Sequence, residues 1–251
     1  MMASIIPRPS PLLAVALNGS RDHPRAPRTA RELAEAARAS VDAGARAVHL
    51  HPYDGQGRET LAAEPCAEAL RAVRAAVPGV PVSLSTSAEI VPDPRRRLEL
   101  VGGWTVLPEL VTANQGERGI AELCEHLIGR GVGIEAGLLS VAEAGDFERS
   151  GLAGRCVRAL VEPLDAEPER AVAHAAAIEA ILVDAGIRLE QVHHGDGLAS
   201  WAVAGRALSR GHGIRTGLED TTVLPDGRPA PDNATLVRAA AAMIADSCRP
   251  A

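Results

Sequence analysis

The chain has 251 residues, 46% hydrophobic and 23% charged, a length and balance that suit one α/β barrel better than an ordinary sandwich or two separate domains. With 26 basic residues against 32 acidic ones, a formal charge of -6 and no run of five like charges, it carries no footprint for nucleic acid or an anionic membrane. Every one of the 26 basic residues is arginine, which excludes Schiff-base and pyridoxal chemistry, and the four aromatic residues are too few for a base-stacking platform.

The first apolar run, residues 12–17, is predicted as a strand. It is far shorter than a membrane span and only Arg8 precedes it as a positive charge, so a soluble, cytoplasmic protein is the expectation. Thr29 with Glu32 forms a capping box ahead of Leu33, Ala37 and Val41, and Gly44 stops that helix. Strands follow at 47–52 and 81–85, and Asp93 before Pro94 opens another helix. Further strands are expected at 109–113, 133–138 and 156–161. Pro168 starts a long alanine-rich helix that ends at Gly186, strands 189–193 and 213–218 come next, and Asp232 caps a last helix running to about Ala245. Eight strand–helix units without a linker or repeat predict a single (βα)8 TIM barrel over residues 1–251, with functional side chains where strands hand over to the following loops. Cys66, Cys124, Cys156 and Cys248 are widely spaced and form no CxxC pair, so they read as reduced, structural thiols.

Two segments carry chemistry. In His49-Leu50-His51 alternate residues of a strand face one side, which places both imidazoles together. Two neutral imidazoles plus a carboxylate hold Zn²⁺ with a coordination position open; the bland alternative is a structural pair bonded to neighbouring loops. In the stretch from Gly211 to Asp220, Arg215, Gly217 and Glu219 share one parity, and the eighth strand of a barrel lies only two strands from the second. Glu219 can supply the missing carboxylate, or Glu219 and Asp220 can simply cap the next loop against Arg215. Asp220 reaches a pocket only if the strand ends by about Leu218. A third segment, Val192-His193-His194-Gly195-Asp196-Gly197, reads either as a further ligand or substrate contact or as a glycine turn with one histidine bonded to Asp196.

Together these segments resemble the β-keto acid cleavage enzyme family. The matching stretches are Asn18-Gly19-Ser20, His49-Leu50-His51, Ser85-Thr86-Ser87 and Arg215 through Asp220, continuing into Leu224-Pro225-Asp226-Gly227 and Asp232-Asn233-Ala234. The resemblance implies a (βα)8 barrel that transfers CoA from acetyl-CoA to the acyl part of a β-keto acid and releases acetoacetate. It implies His49, His51 and Glu219 as ligands of a divalent metal, zinc or else manganese or cobalt. It further implies Asp220 as general base held by Arg215, Ser85 and Thr86 beside the substrate, and Glu135 helping to hold the arginine. Acetyl-CoA and a small β-keto acid are then the partners, with neither nucleic acid nor membrane, and a homo-oligomer, possibly of four subunits, is expected. Arg21 stands about where many members carry an acidic residue, which suits a substrate with a negative tail. The same residue types would also serve a zinc hydrolase, which acetyl-CoA dependence separates from the acyltransferase, or a silent barrel that only binds a metabolite.

Overall fold

The computed structural model describes residues 10–248. Eight strands, β1 (Leu13–Ala16), β2 (Ala47–Leu50), β3 (Val82–Ser85), β4 (Leu110–Asn114), β5 (Gly133–Leu138), β6 (Arg158–Val161), β7 (Glu190–His193) and β8 (Gly213–Thr216), close into a barrel in chain order. All neighbours are parallel, including the β1–β8 pair that seals it. The helices between them are α1 (Ala30–Asp42), α2 (Ala63–Ala76), α3 (Pro94–Gly102), α4 (Ile120–Gly129), α5 (Val141–Ser150), α6 (Pro168–Asp184), α7 (Ala199–Arg210) and α8 (Asn233–Ser247). No helix among the described residues is long and apolar enough to cross a membrane.

The strand predictions hold to within two residues at every end, and where they differ the cause is local. The sixth strand starts at Arg158 rather than at 156, because Ala153–Arg155 form a tight turn that Cys156 closes. The eighth ends at Thr216 rather than at 218. Gly217 there lies against β1 so closely that a Cβ would sit 1.9 Å from the carbonyl oxygen of Ala16, and the chain turns, with Asp220 and Thr221 amides both donating to the Gly217 carbonyl. Thr29 and Glu32 form the full capping box of α1, while Asp93 and Asp232 accept backbone amides at the starts of α3 and α8.

The apolar core lies between strands and helices. Val15, Val48, Leu84, Val111, Ile134 and Ile214 from the strands join Leu33, Leu70, Leu123, Phe147, Ile178 and Val237 from the helices in one buried cluster. Inside the barrel the layer is small and polar instead. Thr112, Glu135, Arg158 and Glu190 stand side by side in register across β4 to β7, with Arg158 paired to both glutamates. Because side chains alternate along each strand, the residues one or two steps further along the same inner parity emerge at the C-terminal mouth.

Candidate active site

The C-terminal ends of the strands and the loops after them build the mouth. His49 comes from the end of β2 and His51 from one residue beyond it. The backbone of His51 is clamped by the Asn18 side chain, which accepts from its amide and donates to its carbonyl, both at 2.8 Å. The Nδ1 of His51 lies 2.7 Å from Glu59 Oε2, and the Nδ1 of His49 lies 3.2 Å from the Thr112 hydroxyl. With those nitrogens engaged behind them, both Nε2 atoms point at one place and each lies 3.5 Å from Glu219 Oε2. The three donor atoms fall within 4.8 Å of one another. Glu219 Oε2 is buried and has no hydrogen-bond partner, which marks it as an oxygen aimed at a missing ligand.

These residues fit a divalent cation. Two imidazoles and a carboxylate are a catalytic zinc donor set, donors about 2.0–2.2 Å from a tetrahedral ion stand roughly 3.3 Å apart, and a carboxylate behind a ligating histidine fixes its tautomer. Gly19 makes room for the set: its φ is +110°, and a Cβ there would approach Glu219 Cγ to 2.8 Å. Burial pushes the His49 pKa down to about 3 despite the carboxylates nearby. At His51 burial acts the same way, but Glu219 and Glu59 outweigh it and raise the pKa to about 10. Burial also works against the charge of Glu219, yet Arg215 and the two histidines hold its carboxyl well below the ordinary range.

Arg215 points inward from β8. Its Nη2 and Nε donate to the two oxygens of Asp220 at 2.6 and 3.2 Å, and Nη2 also reaches Glu219 Oε1 at 3.1 Å. The competition at Asp220 between burial, which raises its pKa, and Arg215, which lowers it, is won by Arg215. The arginine thus holds both acidic residues of its own loop. Asp220 itself has a side chain only 2% exposed and takes no part in the cavity wall.

That cavity, about 540 Å³, opens over His49, His51, Glu219 and Arg215 and is walled by Ser85, Thr112 and Glu162 among others. Ser85 lines it from the end of β3. Thr86 does not: the next residue along a strand faces the opposite way, and its hydroxyl donates to the Thr112 carbonyl at 2.7 Å, fully buried. Thr112, from the neighbouring strand, occupies the wall instead. Glu135 is likewise corrected. It lies inside β5, accepts from Ser83 and pairs with Arg158, whereas the acidic residue facing Arg215 from across the barrel is Glu162, 3.9 Å away. Asp196 does not bond a histidine; it pairs with Arg21, whose Nε also donates to the Glu219 carbonyl at 3.0 Å. Arg21 is thus paired within the loops while it also lines the cavity. His193 turns outward and stacks on His212, while His194 turns inward between Glu162 and Asp220.

A closed parallel barrel with an imidazole–imidazole–carboxylate cluster at the C-terminal ends of its strands defines a TIM-barrel protein with a candidate metal centre on the face where such folds place their chemistry. The sequence profile of the β-keto acid cleavage enzymes matches residues 12–187 and 193–251, and the chain belongs to that family. Among solved structures it is similar to the binary complex of ObcA with oxaloacetate, at 19% identity and a TM-score of 0.68, covering 86% of this chain and 62% of that one. The ternary complex of ObcA with a C4-CoA adduct and oxalate gives 18% and 0.67 over the same shares. The 3-dehydroquinate dehydratase of Aquifex aeolicus VF5 matches at 14% identity and 0.58, covering 92% of this chain and 96% of that one. At such identities the likeness is one of fold, and this chain spans about three fifths of the ObcA length.

Proposed function

We propose that this protein condenses a β-keto acid with acetyl-CoA and releases acetoacetate and a new acyl-CoA, with a divalent cation, zinc or else manganese or cobalt, held by His49, His51 and Glu219. The observation that carries this reading is the convergence of three donor atoms around an unpartnered carboxylate oxygen inside a cavity, in a chain of the β-keto acid cleavage family. When bound, the cation supplies Lewis acidity to a substrate that chelates through carboxylate and ketone, favouring loss of a proton from the carbon between them. ObcA, the relative in fold, has been captured with oxaloacetate and with a CoA adduct, and the reading is in keeping with both.

The chain's own groups have the remaining parts. Ser85 accepts from the Ser87 amide at 3.4 Å, which leaves its hydroxyl proton free for a substrate oxygen. Arg215 presents fixed positive charge to the cavity, and Asp220, joined to it by two hydrogen bonds, takes the general-base part. The decisive experiment incubates the metal-loaded protein with acetyl-CoA and cationic, neutral and anionic β-keto acids, and scores acetoacetate and new acyl-CoA by mass. Product that disappears with chelator and returns with metal is the expected result. Hydrolysis of the panel without any need for acetyl-CoA, or no product at all, overturns the proposal.

A further inference from the structure

The loop after β7 carries a motif that the proposed reaction leaves without a part, and it closes on Asp220 at both backbone and side chain. The Gly197 amide donates to the Asp220 carbonyl at 2.8 Å. Asp196 pairs with Arg21, which in turn donates to the Glu219 carbonyl at 3.0 Å and to the Asp220 carbonyl at 3.4 Å. His194 is the first residue beyond β7, with its amide fixed to the Val161 carbonyl at 3.1 Å and its side chain fully buried. Its Nδ1 lies 3.5 Å from Asp220 Oδ1, and its Nε2 lies 3.4 Å from Glu162 Oε2. Neither nitrogen makes a hydrogen bond at those distances, and a buried imidazole left so is costly. Contacts of this length are those that catalytic groups shorten when a substrate fills the site.

We infer that His194 is a positioning residue for the base: its Nδ1 proton holds Asp220 Oδ1 from the end of β7 while Arg215 holds the same carboxylate from β8, and Glu162 orients the ring from behind. The inference rests on the reaction and the base proposed above. Arg215 donates to the two oxygens of Asp220 at 2.6 and 3.2 Å, but arginine and aspartate both belong to β8 and its loop, so that hold alone lets the pair shift together. A donor anchored on a separate strand removes that freedom, and the direction of a base decides its rate. In the proton transfer the C–H bond breaks, its electron pair stays on the substrate as the enolate, and the proton forms an O–H bond on Asp220. After carbon–carbon cleavage the proton returns to the carbon of the departing acetoacetate enolate, so no oxidant, reductant or net proton is required, and His194 itself gains and loses none. A neutral imidazole has one donor and one acceptor. Burial raises the Glu162 pKa against the pull of His194 and Arg215, which favours a protonated Glu162 donating to Nε2 and leaves the ring's one proton on Nδ1, facing Asp220.

The proton step can be read without acetyl-CoA, because acetoacetate is itself a β-keto acid that the proposed reaction must release. Zinc-loaded protein is mixed with acetoacetate in D₂O, and deuterium entry at the carbon between its carbonyls is followed by NMR above the spontaneous rate. His194→Leu is expected to lower the saturated exchange rate by about 10- to 100-fold, with half-saturating acetoacetate and zinc content near those of the wild type. An asparagine amide nitrogen takes about the place of imidazole Nδ1 and a glutamine amide nitrogen that of Nε2, so His194→Asn should regain most of the rate and His194→Gln little. In an Asp220→Asn background His194→Leu should cost nothing further, because its effect passes through the aspartate. If His194→Leu folds poorly in a thermal melt, the comparison of asparagine with glutamine decides alone. An unchanged rate in His194→Leu, equal recovery by asparagine and glutamine, or a full further loss in the Asp220→Asn background overturns the positioning role and leaves the reaction standing. Absence of any acceleration by the wild type overturns the reaction and the inference together.

Discussion

His49 and His51 come from one strand and face one point, yet their surroundings drive them in opposite directions. Burial keeps His49 unprotonated down to about pH 3, whereas the Glu219 and Glu59 carboxylates overcome burial and keep His51 protonated up to about pH 10. At pH 7 the metal-free protein therefore carries one proton in the cluster, on His51. A cation must displace it, so apparent affinity for zinc should rise about tenfold per pH unit between pH 7 and 9, with no added slope from His49. Competition against a chromophoric chelator across that range measures the slope, and a flat response would mean that His51 is already neutral. In the metal-free protein the raised His51 pKa contributes stability that is fully present below pH 6.5 and is lost as pH climbs through about 10; the depressed His49 pKa opposes folding as pH falls from 6.5 toward 3. Glu59 belongs to the same account. Its carboxylate sits 2.7 Å behind His51, and the Tyr53 hydroxyl, 2.6 Å from the Gly19 carbonyl and 3.2 Å from Glu59 Oε1, shares its one proton between them and helps hold the glutamate in place. Glu59→Gln keeps the shape and removes the charge, and should weaken zinc binding by about 10- to 100-fold while the fold survives, as the same competition assay would report.

At the scale of strands and loops, two glycines show how the mouth is set. Gly217 lets β8 run against the β1 backbone, and Gly19 lets the loop after β1 run under Glu219. Alanine at each should fail differently. Gly217→Ala drives a methyl into the Ala16 carbonyl and should cost about 3 kcal/mol or more of stability, seen as a depressed denaturant midpoint. Gly19→Ala meets the flexible Glu219 side chain and a φ of +110°, so it should cost about 1–3 kcal/mol but displace a ligand, lowering zinc affinity out of proportion to stability. Neither glycine's neighbour is readable from sequence, and the same holds for much of the site. All eight strands were legible because buried parallel strands are short apolar runs between glycines and prolines. Of the helices, α1, α3, α6 and α8 were legible from a cap or a proline; α2, α4 and α7 start without a side-chain cap and left no start signal, and the Ser140 cap of α5 was passed over. His49, His51 and Glu219 could be paired because parity and barrel order are enough for two strands close together. Thr112 and Glu162 were missed, and Glu135 pairs with Arg158 instead of Arg215, because each depends on register across strands far apart in sequence; Glu59 was missed because it sits in the irregular loop after β2, where no periodicity marks it. Ser85 and Thr86 differ by one step of a strand, and that step turns one into the cavity and the other out of it.

For the molecule as a whole, the polar interior sets where stability comes from. The apolar core lies outside the strands, while the barrel axis carries charged and hydroxyl groups that are costly to desolvate and only partly matched: the Nε and Nη1 of Arg158, both nitrogens of His194 and Oε2 of Glu219 all lack a hydrogen bond. A ligand that satisfies the mouth of such a barrel should therefore stabilise the entire fold, because nothing of its kind exists in the unfolded chain. At zinc a hundredfold above its dissociation constant the gain is about 2.7 kcal/mol, and for a chain of this size each kcal/mol moves the melting temperature by about 2–4 °C, so a rise of roughly 5–10 °C is expected in a thermal melt. His49→Ala and Glu219→Gln each remove one of the three converging donors and should abolish that rise, whatever they do to the metal-free melting temperature. Thr86→Ala supplies the contrast: its hydroxyl faces away from the cavity and bonds a carbonyl, so it should lower the baseline by about 1 kcal/mol and leave the zinc increment intact. An undiminished zinc increment in His49→Ala and Glu219→Gln would place the cation elsewhere in the chain and dissolve the link between the polar mouth and the stability of the barrel.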